Sequence, residues 1–239
     1  VEANIILALA CVAIGIGWRK EILQLMKGVF AETSMLCRIL VPIVFLLWAF
    51  FTSRGYMVLD MDLYHGQSIR WIEEYGVIKG LGNLHGRFGY NSSIFAVSAL
   101  YSMKFLLGRS MHAVNGFIAF ILSLEVLNLG KAIKRRRLLL SDYARIALFY
   151  YMSITWDEII APSSDYPVTF TLFFILIKWL STMEKEEETH CKNIAPYALL
   201  CVMGVQALTF KVSAGLILIL LIKIILKIVL LLKHHQTYQ

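Results

Sequence analysis

The chain has 239 residues, of which 59% are hydrophobic and only 16% charged, with a formal net charge of +7 and a mean hydropathy of +0.69. A soluble domain carries about 25% charged residues, so this composition excludes an ordinary water-soluble globular protein and points to lipid as the main solvent. A basic surplus in such a chain reports orientation in the bilayer rather than nucleic-acid binding, and no nucleic-acid partner is expected.

Eight apolar stretches follow one another, at residues 3–17, 39–53, 92–107, 111–130, 143–156, 167–182, 194–210 and 212–232. Most are shorter than the roughly 20 residues that span a bilayer, but the aromatic, Lys and Arg residues at their ends extend helices by snorkelling. The first stretch reads as a helix rather than a cleavable signal peptide, because no basic residue precedes it and no small-residue cleavage site follows it. Val1 opens within an apolar run without an initiator Met, so the chain reads as either a fragment of a longer protein or a processed form.

Basic residues orient these stretches. Arg19, Lys20, Lys27 and Arg38 lie between the first two, and Lys131, Lys134, Arg135, Arg136 and Arg137 follow the fourth. Eight crossings would put these two clusters on opposite sides and leave the loop 157–166, which has no Lys or Arg, facing the cytoplasm. If residues 92–107 lie instead in the outer leaflet, seven spans remain, both clusters and Lys233 fall inside, and 157–166 falls outside, as the positive-inside rule requires. The expected fold is therefore all-α: one polytopic membrane domain over residues 1–239, with about seven transmembrane helices, an outer-leaflet helix and an amphipathic surface helix in the first large extracytoplasmic loop. Cys11, Cys37, Cys191 and Cys201 show no metal or redox spacing and read as reduced packing residues.

The loop 54–92 is the expected active-site segment: its residues 59–92 gather carboxylates, histidines, arginines and glycines in a chain that is otherwise membrane-like. Residues 62–75 suit an amphipathic surface helix, with Tyr64, Ile69, Trp71, Ile72 and Tyr75 on one side and Gln67, Arg70, Glu73 and Glu74 on the other. Gly76, Gly80, Gly82, Gly86 and Gly89 then break helical continuity, so Asn83, His85, Arg87 and Asn91 sit on irregular backbone, where sites are usually built. Asp60 and Asp62 form a D-x-D that can meet a divalent cation such as Mg or Mn, or provide a base and its orienting partner; equally, both can cap the helix that follows. His65 and His85 either converge on a site near Asp60 or serve as structural hydrogen-bonding groups. Arg87, between glycines, can hold a phosphate bidentately. Lys211, with Thr209 and Ser213 between two apolar stretches, provides a second cation or simply snorkels. Asp165 faces the same side and is either a site residue or a cap for the helix containing Pro167. Asp157 and Glu158 read as rim residues.

These features resemble the N-terminal module of GT-C-type integral-membrane glycosyltransferases: an acidic residue after a span, a surface helix, a glycine-broken loop and an outer-leaflet helix. More narrowly, D-x-x-L-Y-H at 60–65, W-I-E-E-Y-G at 71–76, G-L-G-N-L-H-x-R at 80–87 and G-Y-N-S at 89–92, with P-S-S-D at 162–165 and T-F-K-V-S at 209–213, are similar to a bacterial membrane-protein family found with surface-polysaccharide genes. The resemblance implies a polyprenyl-phosphate-linked sugar donor, a glycan, lipid or protein acceptor, and an active face outside the cytoplasmic membrane. It also implies Asp60 as general base or metal ligand, with Asp62 and His65 beside it. His85, Arg87, Asn91, Asp165 and Lys211 are then candidates for binding substrate and phosphate. The chain departs from the GT-C pattern in its additional helix at 3–17 and in having no large C-terminal region after its eighth stretch. A polysaccharide polymerase or ligase would use the same carrier; a lipid-linked-glycan transporter would need ionisable residues deep in its spans; a non-catalytic scaffold would use the outer island to hold a partner.

Overall fold

A computed structural model describes residues 2–32, 34–55, 58–189 and 195–217, with isolated positions beyond. Every regular element among the described residues is helical. Two N-terminal helices, α1 (Glu2–Gly17) and α2 (Arg19–Glu32), precede α3 (Met35–Arg54). The polar island follows as a π-helical turn (Met61–His65), α4 (Gly66–Tyr75) and two 3-10 turns (Leu81–Asn83 and Gly86–Tyr90). Next come α5 (Ser93–Leu100), α6 (Lys104–Leu107), α7 (Val114–Leu127), α8 (Leu129–Arg135) and α9 (Leu140–Ile154). A 3-10 turn (Glu158–Ile160) leads to α10 (Asp165–Thr189) and α11 (Ala195–Phe210), and a further turn covers Val212–Ile217.

Among the described residues, three helices are long and apolar enough to cross a membrane: Met35–Arg54, Val114–Arg135 and Asp165–Thr189. Shorter apolar helical segments among the described residues are Asn4–Gly17, Ser93–Leu107, which is broken at Met103, and Ala195–Phe210. The eighth apolar stretch lies mostly outside the described residues, as do Cys191 and Lys233. Cys11, Cys37 and Cys201 are free thiols, and Cys11 is exposed rather than packed within the protein.

Each long helix has a local reason to form. Ser34 caps α3 by accepting from the Cys37 N–H at 3.3 Å, and Gly55 ends the helix at a φ of 68°. No residue of α3 is buried, and its exposed Ile39, Ile43, Phe45, Leu46 and Phe50 present the apolar surface expected of a lipid-facing helix. On its inner side α3 meets α7: Trp48 Nε1 donates to Ser123 Oγ at 2.9 Å and the Phe45 and Phe120 rings meet edge-on at 5.3 Å. The contact is close enough that a Cβ at Gly116 would fall 2.0 Å from Thr52 Oγ1.

Two apolar cores lie behind this contact. One joins α7, α9 and α10 through Ala119, Leu122, Leu148, Met152, Phe170 and Ile177. The other fixes the polar island to the bundle, with Tyr64 and Ile69 packed among Ile94, Phe95, Val168, Ala207 and Phe210. The surface helix expected at 62–75 is thus corrected in two ways: its first turn is a π turn, and its apolar side is divided, with Tyr64 and Ile69 closed by protein while Tyr75 stays exposed. The stretch 92–107 is also not one helix, because Met103 takes a φ of 52° between α5 and α6.

Hydrogen bonds gather one pole of the bundle. Asn115 at the start of α7 donates to the Ala161 and Ser163 carbonyls at 2.5 and 3.3 Å. Ser92 donates to the Phe210 carbonyl at 2.6 Å, and the Ser93 and Thr209 hydroxyls meet at 2.7 Å. Toward the other pole, Arg145 reaches Asp142 at 3.0 Å, Glu125 at 3.5 Å and the Ser141 and Ser181 hydroxyls at 2.9 and 3.0 Å. Lys178 pairs with Glu125, Arg135 pairs with Asp142 at 2.5 Å, and Glu184 accepts from the Ser141 N–H and hydroxyl at 2.8 and 2.6 Å. A buried network of this kind resists loss of any one partner, because the remaining charge would stay desolvated at a cost of about 3–5 kcal/mol.

Candidate functional site

The polar pole holds the residues that chemistry would need. Val58 accepts from the Met61 N–H at 2.9 Å, opening the turn that carries Asp60. The turn then widens: the Gly66 N–H reaches back to the Met61 carbonyl, and a Cβ at Gly66 would stand 3.2 Å from that oxygen. Such π turns occur often at functional sites. Here the turn directs Tyr64 and His65 inward while Asp60 stays accessible.

Arg87 Nη1 donates to Asp60 Oδ1 at 2.9 Å, across 27 residues of sequence, and both side chains are about half exposed. The Arg87 guanidinium also lies over the Tyr64 ring, 5.4 Å from its centroid. Its backbone is positioned by His85, whose Nδ1 accepts from the Arg87 N–H at 3.3 Å while its ring meets Phe88 edge-on at 5.6 Å. Asn91 holds a left-handed conformation, φ 44° and ψ 46°, that turns the chain from the second 3-10 turn into α5. Asn tolerates this backbone better than most residues.

A second ion pair joins Lys211 to Asp165, linking the end of α11 to the start of α10. Between the two pairs lies His65. It is 1% exposed, its ring contacts Tyr64 at 4.2 Å and Phe95 at 5.1 Å, and neither ring nitrogen has a protein partner. Burial pushes its pKa below the ordinary value, with Lys211 and Arg87 adding to that effect and Asp165 and Asp60 opposing it. His65 is therefore neutral at physiological pH, with one donor and one acceptor available. Burial raises the Tyr64 pKa, reinforced by Asp60 and Asp165.

The structure thus brings together Asp60, His65, Arg87, Asp165 and Lys211, with His85 just behind Arg87. Asp62 stays exposed on the π turn. Among the described residues no group of three or more His, Cys, Asp and Glu side chains can hold a metal ion. Of the two D-x-D carboxylates expected to meet Mg or Mn, Asp60 is engaged by Arg87 through Oδ1 and Asp62 lies exposed two residues on; no step below passes through a metal. Asp157 caps its own turn by accepting from the Glu158 N–H at 3.0 Å, and Glu158 accepts from the Tyr166 hydroxyl; both are rim supports.

Sequence reasoning missed Asn115, which is 2% exposed and ties α7 to the loop before α10. A lone Asn near the start of an apolar run was the available signal. It also missed Glu125, Arg145 and Lys178, whose signal was a single charge within each of three apolar runs.

Compared with known proteins, the chain matches one family model, described as Domain of unknown function (DUF8201), over residues 1–238, and it belongs to that family. No curated protein and no solved structure matches it.

Proposed function

We propose that this member of the family is an integral-membrane glycosyltransferase that moves a sugar from a polyprenyl-phosphate-linked donor to a glycan, lipid or protein acceptor. The observation that carries this reading is the convergence of Asp60, Arg87, Asp165, Lys211 and buried His65 at one pole of an apolar helical bundle. In the seven-span arrangement, that pole faces the extracytoplasmic side of a bacterial cytoplasmic membrane, where a lipid-linked donor is presented. The product would serve surface-polysaccharide or glycoconjugate assembly.

Each residue has a task in this reaction. The acceptor oxygen forms a bond to the anomeric carbon, the bond from that carbon to the phosphate oxygen breaks, and its electron pair leaves with the phosphate. The acceptor proton goes to Asp60, the accessible carboxylate, which Arg87 orients through Oδ1. His65 is closed from solvent and acts as a positioning residue, giving the site a neutral polar backing. Lys211 and Asp165 set the opposite wall, and their pairing, like that of Arg87 with Asp60, leaves the site close to electroneutral.

A lipid-linked-glycan transporter is the second reading, favoured by the Glu125, Arg145 and Lys178 network inside apolar helices. Complementation separates the two. In a strain whose surface glycan depends on this gene, the glycosyltransferase reading expects Asp60→Asn to abolish the glycan at normal protein levels. Full glycan with Asp60→Asn would contradict it and favour the transporter or a scaffold.

A further inference from the structure

The two cations expected to hold a phosphate, Arg87 and Lys211, are each neutralised by a carboxylate. Two other arginines near the same pole are not. Arg54 and Arg109 are exposed and have no ion-pair partner among the described residues; Arg54 only lies 5.9 Å from the Phe50 ring centroid. Both line a cavity of about 750 Å³ between α3 and α7, a volume within the usual range for a ligand site.

The lining changes character along the cavity. At the polar pole it has Arg54, Arg109, Ser110 and His112, whose Nδ1 is buried without a partner. Farther along α3 and α7 it has Phe45, Trp48, Phe117 and Phe120. Phe45 and Arg54 are nine residues apart on one helix, so the apolar part extends about 14 Å from the cationic mouth. Phe45 and Phe117 are 48% and 59% exposed on helices apolar enough to face lipid, so a chain can slide in sideways from the bilayer. Met61 also lines the cavity, placing its mouth one residue from Asp60.

We infer that this cavity holds a single-chain lipid with a doubly charged phosphate head, the head clamped between Arg54 and Arg109 and the chain lying along Phe45, Phe117 and Phe120. Charge complementarity selects the occupant: two guanidinium groups match two negative charges, as on a phosphomonoester or a pyrophosphate diester, better than the single charge of a bilayer phosphodiester. The inference rests on the proposed function in taking this lipid to be the sugar carrier as it is left after transfer, its phosphate a monoester once the bond to the sugar has broken, and it moves the contacts to that leaving phosphate from Arg87 and Lys211 to Arg54 and Arg109.

The test is binding of a radiolabelled long-chain isoprenyl monophosphate to the full chain in phosphatidylcholine nanodiscs. Arg54→Gln and Arg109→Gln are each expected to raise Kd about tenfold or more, the loss of one charge-assisted contact. Phe120→Trp, which narrows the apolar part without touching a charge, should weaken binding too, while Arg70→Gln outside the cavity should not. Unchanged binding in both arginine variants, no binding by wild type, or equal competition by phosphatidylglycerol or by inorganic phosphate would overturn the assignment. Sugar transfer measured in the same nanodiscs keeps the two claims apart. Arginine-dependent binding without transfer by wild type leaves this site standing and removes the glycosyltransferase reading. Transfer that is indifferent to both arginines does the reverse.

Discussion

His65 carries the sharpest consequence at the scale of single residues. Its folded pKa lies below the ordinary value near 6.5, so the unfolded chain binds a proton where the folded chain does not. The stability this confers is complete above the unfolded pKa and declines as pH falls through 6.5 toward the lower folded value. His112 is shifted down by burial in the same way, with Glu73 opposing, and adds its own share. Unfolding of detergent-purified protein followed between pH 7.5 and 5 should therefore show wild type losing stability with acid, and His65→Phe losing less. An identical acid profile in the variant would mean that burial does not separate the protonation of His65 in the folded and unfolded chain. The candidates themselves were legible because carboxylates, histidines and Arg87 stand out against an apolar chain. What the sequence could not convey was their pairing, since Asp60 with Arg87 and Asp165 with Lys211 join positions 27 and 46 residues apart. Without those pairs, Arg87 and Lys211 looked like free cations.

Among elements, the meeting of α3 with α7 decides whether the cavity and the polar pole keep their shape. Gly116 permits it. A Cβ there would lie 2.0 Å from Thr52 Oγ1 and 3.2 and 3.3 Å from the Thr52 Cβ and Cγ2, so Gly116→Ala should push the helices apart and cost about 1–3 kcal/mol. Thr52→Ala in the same chain should restore part of that loss by removing the closest atom, as thermal unfolding of the single and double variants would show. Additive losses would mean that the two residues do not meet. Element reading from sequence succeeded where hydropathy and length agree, as in α3 and α10, and fell short where tertiary packing chose the outcome. The turn at Met61–His65 is π-helical, and Ile69 of α4 packs with Ile94 and Phe95 in the protein core. Periodicity alone cannot tell a lipid-facing stripe from a protein-facing one.

For the molecule as a whole, polarity is divided between two poles separated by apolar packing. One pole locks helices together through Glu125, Asp142, Arg145, Lys178 and Glu184. The other gathers the island, the loop before α10 and the end of α11 around His65. The sequence reading in which residues 92–107 lie in the outer leaflet expects these three segments on one face. The rigid pole gives a fixed frame, and the reactive groups sit on shorter helices and turns at its far end. The most direct measurement is sugar transfer by the full chain reconstituted in lipid, supplied with labelled polyprenyl-phosphate-linked sugars and an acceptor extract, comparing wild type with Asp60→Asn. The account predicts transfer by wild type and a loss of at least about a hundredfold in Asp60→Asn, the size expected when a general base is removed, with folding unchanged because the Asp60 pair is exposed and contributes about 0–1 kcal/mol. Undiminished transfer by Asp60→Asn would contradict it.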